Sequence, residues 1–361
     1  MSHEVDFFPV GDGGRSGDAI TLRFGNFGDL RQQYVVVIDG GYADDGDAIV
    51  KHIRNWYGTD FVDLVISTHP DADHSAGLAV VLKEMRVGML WMHLPWNHCN
   101  GINGMFRDGR VTDSSVEGKL LESLDNARDL ELLANQRDVR IYEPFTGLSA
   151  FDGRVLIAGP TTAYYESLLP DFRCTPEAKQ LSVLRSLLKT FKETGAKLAE
   201  TFGIETLRDE GDPTSAENNS STIVLIRPSV GTGLLFTGDA GIPALTNAAD
   251  YLDACGIGAA SNTFIQVPHH GSRRNVGPTI LNRLVGRKLP VEQTLKTAFV
   301  SAAKGGDPKH PAKKVTNAFR RRGAPVSATQ GSHIYHFSLD LTLRAGWTGI
   351  TPLPLYNEVD E

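Results

Sequence analysis

Three cysteines among 361 residues, Cys99, Cys174 and Cys255, stand far apart. They are too few and too scattered for a disulfide framework, and reduced thiols in a cytoplasm are expected. Long hydrophobic runs are also missing. None approaches the roughly 20 residues that cross a bilayer, so no membrane partner is expected. The opening residues, Met1-Ser2-His3-Glu4-Val5-Asp6, carry neither the basic start nor the apolar stretch of a secretory leader, which again favours a cytoplasmic protein. There is no Walker-type phosphate loop, no clear internal repeat and no low-complexity tract. What remains is a chain with 41% hydrophobic residues, long enough to bury one large core with or without an appended subdomain.

The residues that carry chemistry are concentrated at the ends of three apolar runs. Phe61-Val62-Asp63-Leu64-Val65-Ile66 has the β-branched composition of a buried strand, and Ser67-Thr68-His69-Pro70-Asp71-Ala72-Asp73-His74 follows it at once. A loop there can turn His69 and Asp71 toward one ion and Asp73 and His74 toward a neighbouring one, which the 3.6 period of a continuous helix denies to adjacent residues. A helix is expected only from Ser75, to about Glu84. Imidazole mixed with carboxylate suits Zn2+, Mn2+ or Fe better than Ca2+. Taken alone, the segment also reads as a polar turn whose aspartates cap the next helix. Leu234-Leu235-Phe236-Thr237-Gly238-Asp239 is a second apolar run, ending where a carboxylate can bridge two cations. Phe264-Ile265-Gln266-Val267-Pro268-His269-His270-Gly271-Ser272 is a third. Together the three ends present His69, Asp71, Asp73, His74, Asp239 and His270, enough for two ions with solvent positions left open.

In this order the segments His-x-Asp-x-Asp-His, Thr-Gly-Asp and His-His-Gly-Ser resemble the metallo-β-lactamase superfamily. The usual first motif there is His-x-His-x-Asp-His, and Asp71 takes the place of its second histidine. That variant, with Val267-Pro268-His269-His270-Gly271-Ser272, is similar to the soluble nuclease-like domain of ComEC-type competence proteins and their free-standing relatives. Further matches are Val10-Gly11-Asp12-Gly13, Asp18-Ala19-Ile20, Val37-Ile38-Asp39-Gly40-Gly41, His310-Pro311 and Arg322-Gly323-Ala324. The resemblance spans about residues 5 to 338 and is weakest from about 95 to 215. It implies an α/β fold, an αββα sandwich of two sheets, in a single domain over 1–361 with a largely helical insertion at about 95–138 and 160–218. It also implies two divalent ions, Zn2+ or Mn2+, supplying hydroxide at neutral pH. Asp239 would bridge them, and Asp71 would shift preference toward Mn2+ or a weaker Zn2+ site. Between the adjacent histidines, His270 is taken as the ligand because the glycine after it matches a His-Gly ending of the superfamily. His269 and His310 are then candidates to stabilise the transition state or protonate the leaving oxygen, and Asp73 is counted as catalytic as well as a ligand. Many members use a further histidine on the first metal. His98 is the candidate, although a surface-loop histidine is the better reading, with Trp96 beside it a packing anchor.

Other elements read less sharply. Strands are expected at Asp18 to Phe24, Tyr34 to Ile38, Met89 to Met92, Arg140 to Tyr142 and Arg154 to Ala158, and helices at Gly46 to Trp56, Val116 to Gln136 and Glu177 to Leu198. The charge is uneven. The chain carries -7 overall, yet between Arg273 and Arg322 thirteen Lys and Arg meet only Glu292 and Asp307, a local +11 that leaves -18 elsewhere. A basic half of this kind attracts polyanions, unless Lys313, Lys314, Arg320, Arg321 and Arg322 are a solvated helix face. The loop Lys304 to His310 suggests an oxyanion clamp, with Lys304 and Ser272 contacting substrate. The expected activity is hydrolysis of a phosphodiester, in nucleic acid or another substrate. Alternatives are hydrolysis of a lactone, thioester or small phosphoester, a flavodiiron-like redox role, and a non-catalytic component of a defence or toxin system.

Overall fold

Apolar side chains buried on both faces of the central strands, such as β3 and β10, set up the architecture. The computed structural model describes residues 1–179, 197–209, 213–306 and 310–360. Sheet one runs in the order β15 (Ile334–Phe337), β1 (Ser2–Phe7), β2 (Ala19–Gly25), β3 (Gln33–Gly40), β4 (Phe61–Ile66), β5 (Arg86–Trp91) and β6 (Arg140–Tyr142). Sheet two runs β14 (Val326–Ala328), β13 (Thr297–Val300), β12 (Phe264–Gln266), β11 (Leu234–Phe236), β10 (Ile223–Ile226), β8 (Val155–Gly159) and β7 (Ser149–Ala150). A small pair joins β9 (Lys197–Ala199) to β16 (Glu358–Asp360). Each large sheet is antiparallel in one half and parallel in the other, changing over at β3 and at β11.

Three apolar clusters define the layers. Along β10, Val224 and Ile226 face a cluster shared with Val36, Ile38, Leu64 and Ile66 of sheet one, so the two sheets pack face to face. Ile223 and Leu225 point the other way, into a cluster with Leu245 and Leu252 of the helix Ile242–Ala254 and with Val315 and Phe319 of the helix Lys313–Arg321. Val35 and Val37 of β3 meet Ile49 and Leu82 from the helices Ala43–His52 and Leu78–Glu84 on the outer face of sheet one. The result is the expected αββα sandwich. Each fully buried aliphatic or aromatic side chain contributes about 1.5–3 kcal/mol, so two-sided burial is what makes such short strands stable.

Several elements differ from expectation. Asp71 to Ser75 is not open loop: Asp71 is the extended N-cap of a single turn, Ala72–Ser75, and a second helix starts at Leu78. The break falls at Gly77, where an added Cβ would lie 2.0 Å from Gly40 O. The first helix starts earlier, at Ala43, and its last turn widens into a π-helical segment, Ile53–Tyr57. The stretch Val116 to Gln136 is two helices, Asp113–Ser123 and Asp125–Gln136. Val116 and Leu120 bury into a small separate core with Cys99, Phe106, Tyr165 and Phe172, whereas Leu130 and Ala134 bury against sheet one, so one straight helix could not serve both. Most of the expected helix from Glu177 lies outside the described residues, and its last residues are strand β9. Among the described residues no helix is long and apolar enough to cross a membrane.

The N-terminal strand is tied to the chain's last tenth by buried charge. Arg344 donates to Asp6 through Nη1 and Nη2 (2.5 and 2.9 Å) and to Glu4 through Nη2 (2.8 Å). Tyr57 Oη also donates to Asp6 (2.6 Å), and the guanidinium lies over the Tyr335 ring at 4.2 Å.

Candidate metal centre

The three expected ligand segments converge beyond the C-terminal ends of β4, β11 and β12, all in the parallel halves of the sheets. Such ends are where open α/β sheets place their sites. The backbone is held in uncommon conformations here. His269 and His270 both have positive φ (48° and 53°), as does Asp39 (56°), a region that non-glycine residues seldom adopt and that surrounding contacts must enforce. Asp39 is the extra residue of a β-bulge, since Ile38 opposes Ile20 and Gly40 opposes Ala19, and bulges re-aim a side chain. The loop before β2 closes over the metal loop: a Cβ on Gly17 would lie 2.3 Å from Asp73 O.

Hydrogen bonding commits one nitrogen of His69, His74 and His270 and leaves the other, while His269 Nε2 also lies 3.4 Å from Asn218 Nδ2. Thr68 Oγ1 donates to Asp39 Oδ2 (2.7 Å), so at 3.0 Å it accepts from His69 Nδ1. His74 Nδ1 donates to Asp39 Oδ2 (2.7 Å). His270 Nδ1 donates to the Ser301 carbonyl (3.2 Å). Asn275 gives its amide hydrogens to the carbonyls of Asp239 and Ala240, so its Oδ1 accepts from His269 Nδ1 (2.9 Å). All four Nε2 atoms are thereby turned toward Asp239. His74 Nε2 is 3.6 Å from Oδ1, while the Nε2 atoms of His269, His69 and His270 are 3.6, 3.9 and 4.0 Å from Oδ2. These distances are too long for hydrogen bonds. The Nε2 atoms of His69, His74 and His270 and Oδ1 of Asp239 are buried without a hydrogen-bond partner. Asp73, His74 and His270 bring ligand atoms within 4.8 Å of one another, as do Asp18, His74 and Asp239.

The electrostatics match that geometry. Burial opposes charge on His74, but Asp239, Asp39 and Asp73 outweigh it and hold the imidazole well above its usual value. Burial likewise opposes the Asp239 carboxylate, yet His269, His74 and His270 hold it well below the usual range. Burial pushes His270 down to about 3, and burial, with Asp239 and Asp39 nearby, pushes Asp18 up to about 7. The positive charge that His74 takes on as a proton is the charge a divalent cation brings.

The remaining expected residues are distributed as follows. Asp71 lies 3.9 Å from His69 Nε2, and both its oxygens accept from Arg173 Nη2 (2.5 and 2.7 Å). The His310 ring is 6.1 Å from that of His269. Ser272 Oγ accepts from Arg274 N (3.3 Å) and so serves its own turn. Lys304 is exposed, its carbonyl accepting from Gly13 N (3.1 Å). His98 is away from the cluster, with one ring nitrogen on Glu143 (2.9 Å) and the other on Glu166 (3.0 Å). His93 stacks on Tyr165 (4.4 Å), and Trp96 is buried in the core.

The basic half needs correction. Arg321 pairs with Glu200 (2.8 Å) and Arg322 with Glu205 (2.7 Å), all four side chains nearly inaccessible, and Arg320 pairs with Glu292. Arg283 is held by Asp250 and Asp253. Arg321 and Arg322 are therefore neither a phosphate track nor a solvated face, because acids from outside the run neutralise them within the fold.

Sequence reasoning quoted Asp18 and Asp39 as motif matches without giving them a role, and missed the other supporting residues. Asp39, Asp18, Asn275 and Glu217 act here, as does Arg173. Asp39 could have been given a role, since Val37-Ile38-Asp39-Gly40 repeats the strand-then-aspartate pattern that flags Asp239.

Neither a protein-family model nor a curated protein matches the chain. Among solved structures it is similar to a crystal structure from Thermotoga maritima described as a "putative metallo-beta-lactamase", with 10% identity, 71% of this chain and 93% of that one covered, and a TM-score of 0.34. At that level the chemistry of the centre rests on this chain's own side chains.

Proposed function

We propose that this chain is a metal-dependent hydrolase that holds two divalent ions, zinc or manganese, and cleaves a phosphodiester. The observation that carries the reading is the convergence of four imidazole Nε2 atoms, each with its Nδ1 committed elsewhere, on one buried carboxylate. Unprotonated Nε2 lone pairs and carboxylate oxygens cannot satisfy each other, whereas a cation, like the proton that His74 otherwise takes on, satisfies both. The motif resemblance to the metallo-β-lactamase superfamily agrees. His69, Asp71 and His269 would hold one ion and Asp73, His74 and His270 the other, with Asp239 between them. Such ions supply Lewis acidity when bound, lowering the pKa of water to about 7 and drawing charge from a phosphoryl oxygen.

The chain's own groups do the rest. Asp39 fixes the ring of His74 and, through Thr68, that of His69. His310, whose ring lies 6.1 Å from that of His269, would give a proton to the leaving oxygen, and exposed Lys304 would meet a phosphate. With Arg321 and Arg322 committed inside the fold, a small phosphodiester is favoured here over a nucleic-acid polymer.

The test is elemental analysis after reconstitution with Zn2+ or Mn2+, with turnover measured on bis(p-nitrophenyl) phosphate and on a neutral lactone. Two ions per chain and hydrolysis of the phosphodiester are expected, with Asp239→Asn losing at least about a hundredfold in rate. A wild-type chain that takes up neither ion, or an Asp239→Asn chain with full turnover, overturns the reading.

A further inference from the structure

Arg173 lies 102 positions from Asp71 in the chain yet meets it at the edge of the centre. Its backbone N–H donates to Glu217 Oε1 (2.5 Å), and its Nε lies 3.1 Å from the same oxygen. Nη2 donates to both oxygens of Asp71. Glu217 is 2% exposed, so a buried carboxylate fixes the arginine at its backbone and at its side chain, and a second carboxylate orients the fork. A guanidinium offers five N–H donors in one plane. Here Nη1 has no hydrogen-bond partner among the described residues, and 63% of the side chain is exposed. Asp71 Oδ2 is in turn 3.9 Å from His69 Nε2. A permanent, oriented positive charge thus stands two contacts from a nitrogen placed above on an ion.

An arginine serving only as a surface tie gains little, since exposed pairs contribute about 0–1 kcal/mol. Anchoring by a buried glutamate with one donor edge left open is instead the arrangement that recognises an oxyanion, because planar paired donors match carboxylate and phosphate. We propose that Arg173 is a substrate-binding residue that takes a non-reacting oxygen of an anionic phosphodiester on its Nη1 edge, and so sets a preference for anionic over neutral esters. This inference rests on the metallohydrolase reading and assigns its substrate class to a residue of the insertion.

The experiment compares metal-reconstituted wild type, Arg173→Ala and Arg173→Lys on bis(p-nitrophenyl) phosphate and on p-nitrophenyl acetate. Binding of inorganic phosphate is followed by calorimetry and metal content by elemental analysis. In Arg173→Ala the ratio of kcat/KM for the phosphodiester to that for the acetate should fall about tenfold or more, mainly through KM, with phosphate affinity weakened by a similar factor. Arg173→Lys should restore part of both, and metal content should stay at the wild-type level. An unchanged ratio with unchanged phosphate affinity overturns the proposal. So does metal loss with both substrates falling in proportion, because the arginine then supports the centre alone. If Arg173→Ala does not fold, Arg173→Lys, which keeps the charge but not the fork, is read by the same criteria. If wild type turns over neither substrate, the metallohydrolase reading fails and calorimetry decides this inference by itself: weaker phosphate binding in the variant supports it, and equal binding overturns it.

Discussion

Asp39 touches no expected substrate position, yet it accepts three hydrogen bonds that orient the centre: from Thr68 N, from Thr68 Oγ1 and from His74 Nδ1. Removing it frees both rings to rotate and leaves a buried N–H without an acceptor. We expect Asp39→Ala to weaken metal affinity about 10–100-fold, read by calorimetric titration with Zn2+ or Mn2+, while Asp39→Asn, which keeps an acceptor, should fall in between. Equal affinities in all three proteins would reduce Asp39 to a packing residue. His69, Asp239 and His270 were legible in sequence because each lies within four residues of a strand end, and His74 because it shares a motif with His69. Arg173 was not, since its partner lies in another part of the chain and no spacing links them. The His269/His270 ambiguity had a physical basis too. Both rings face Asp239, because two successive positive-φ residues bend the backbone around it.

The helix Lys313–Arg321 shows how charge misleads when it is read one segment at a time. Thirteen basic residues in a stretch suggested a polyanion surface, but the counter-charges of Arg283, Lys288, Arg321 and Arg322 come from elements distant in the chain. Glu200 accepts from Arg321, Asn317 and Thr206, closing a buried network around the helix. Arg321→Ala strands Glu200 in the interior and should destabilise the protein by about 3–5 kcal/mol, measured by denaturant unfolding. The salt dependence of phosphodiester binding should not move. A clear flattening of that dependence, with stability retained, would restore the polyanion reading. The divided helix at Leu124 has the same lesson. Hydrophobic periodicity shows that a face is buried and leaves open which neighbour buries it, and the two halves choose different cores.

For the molecule as a whole, buried imidazoles couple stability to pH. Burial pushes His93 down to about 3 and His3 down to about 4, from an ordinary 6.5. Both ring nitrogens of His3 and Nδ1 of His93 lack hydrogen-bond partners, and for His3 burial outweighs the pull of Asp340 and Glu4 on the added proton. The unfolded chain takes up protons first. The contribution of these two histidines is therefore full above 6.5 and declines as pH falls through that value toward the folded ones. Thermal midpoints should drop progressively between about pH 6.5 and about pH 4, and a His3→Phe/His93→Phe protein should show a shallower decline. An unchanged slope in that variant would assign the acid sensitivity to other groups. The tie between Arg344 and Asp6 has a consequence in time rather than in energy. β1 is synthesised well before its outer neighbour β15 and before the guanidinium that neutralises its carboxylates, which lie more than 300 residues further along the chain. Until β15 is made, β1 can hold β2 on one side but keeps its other edge open, in the state most apt to pair with a neighbouring nascent chain. Yield in a cell is then governed by how long that edge stays bare, and polysome crowding and chaperone supply become determinants of how much folded protein accumulates.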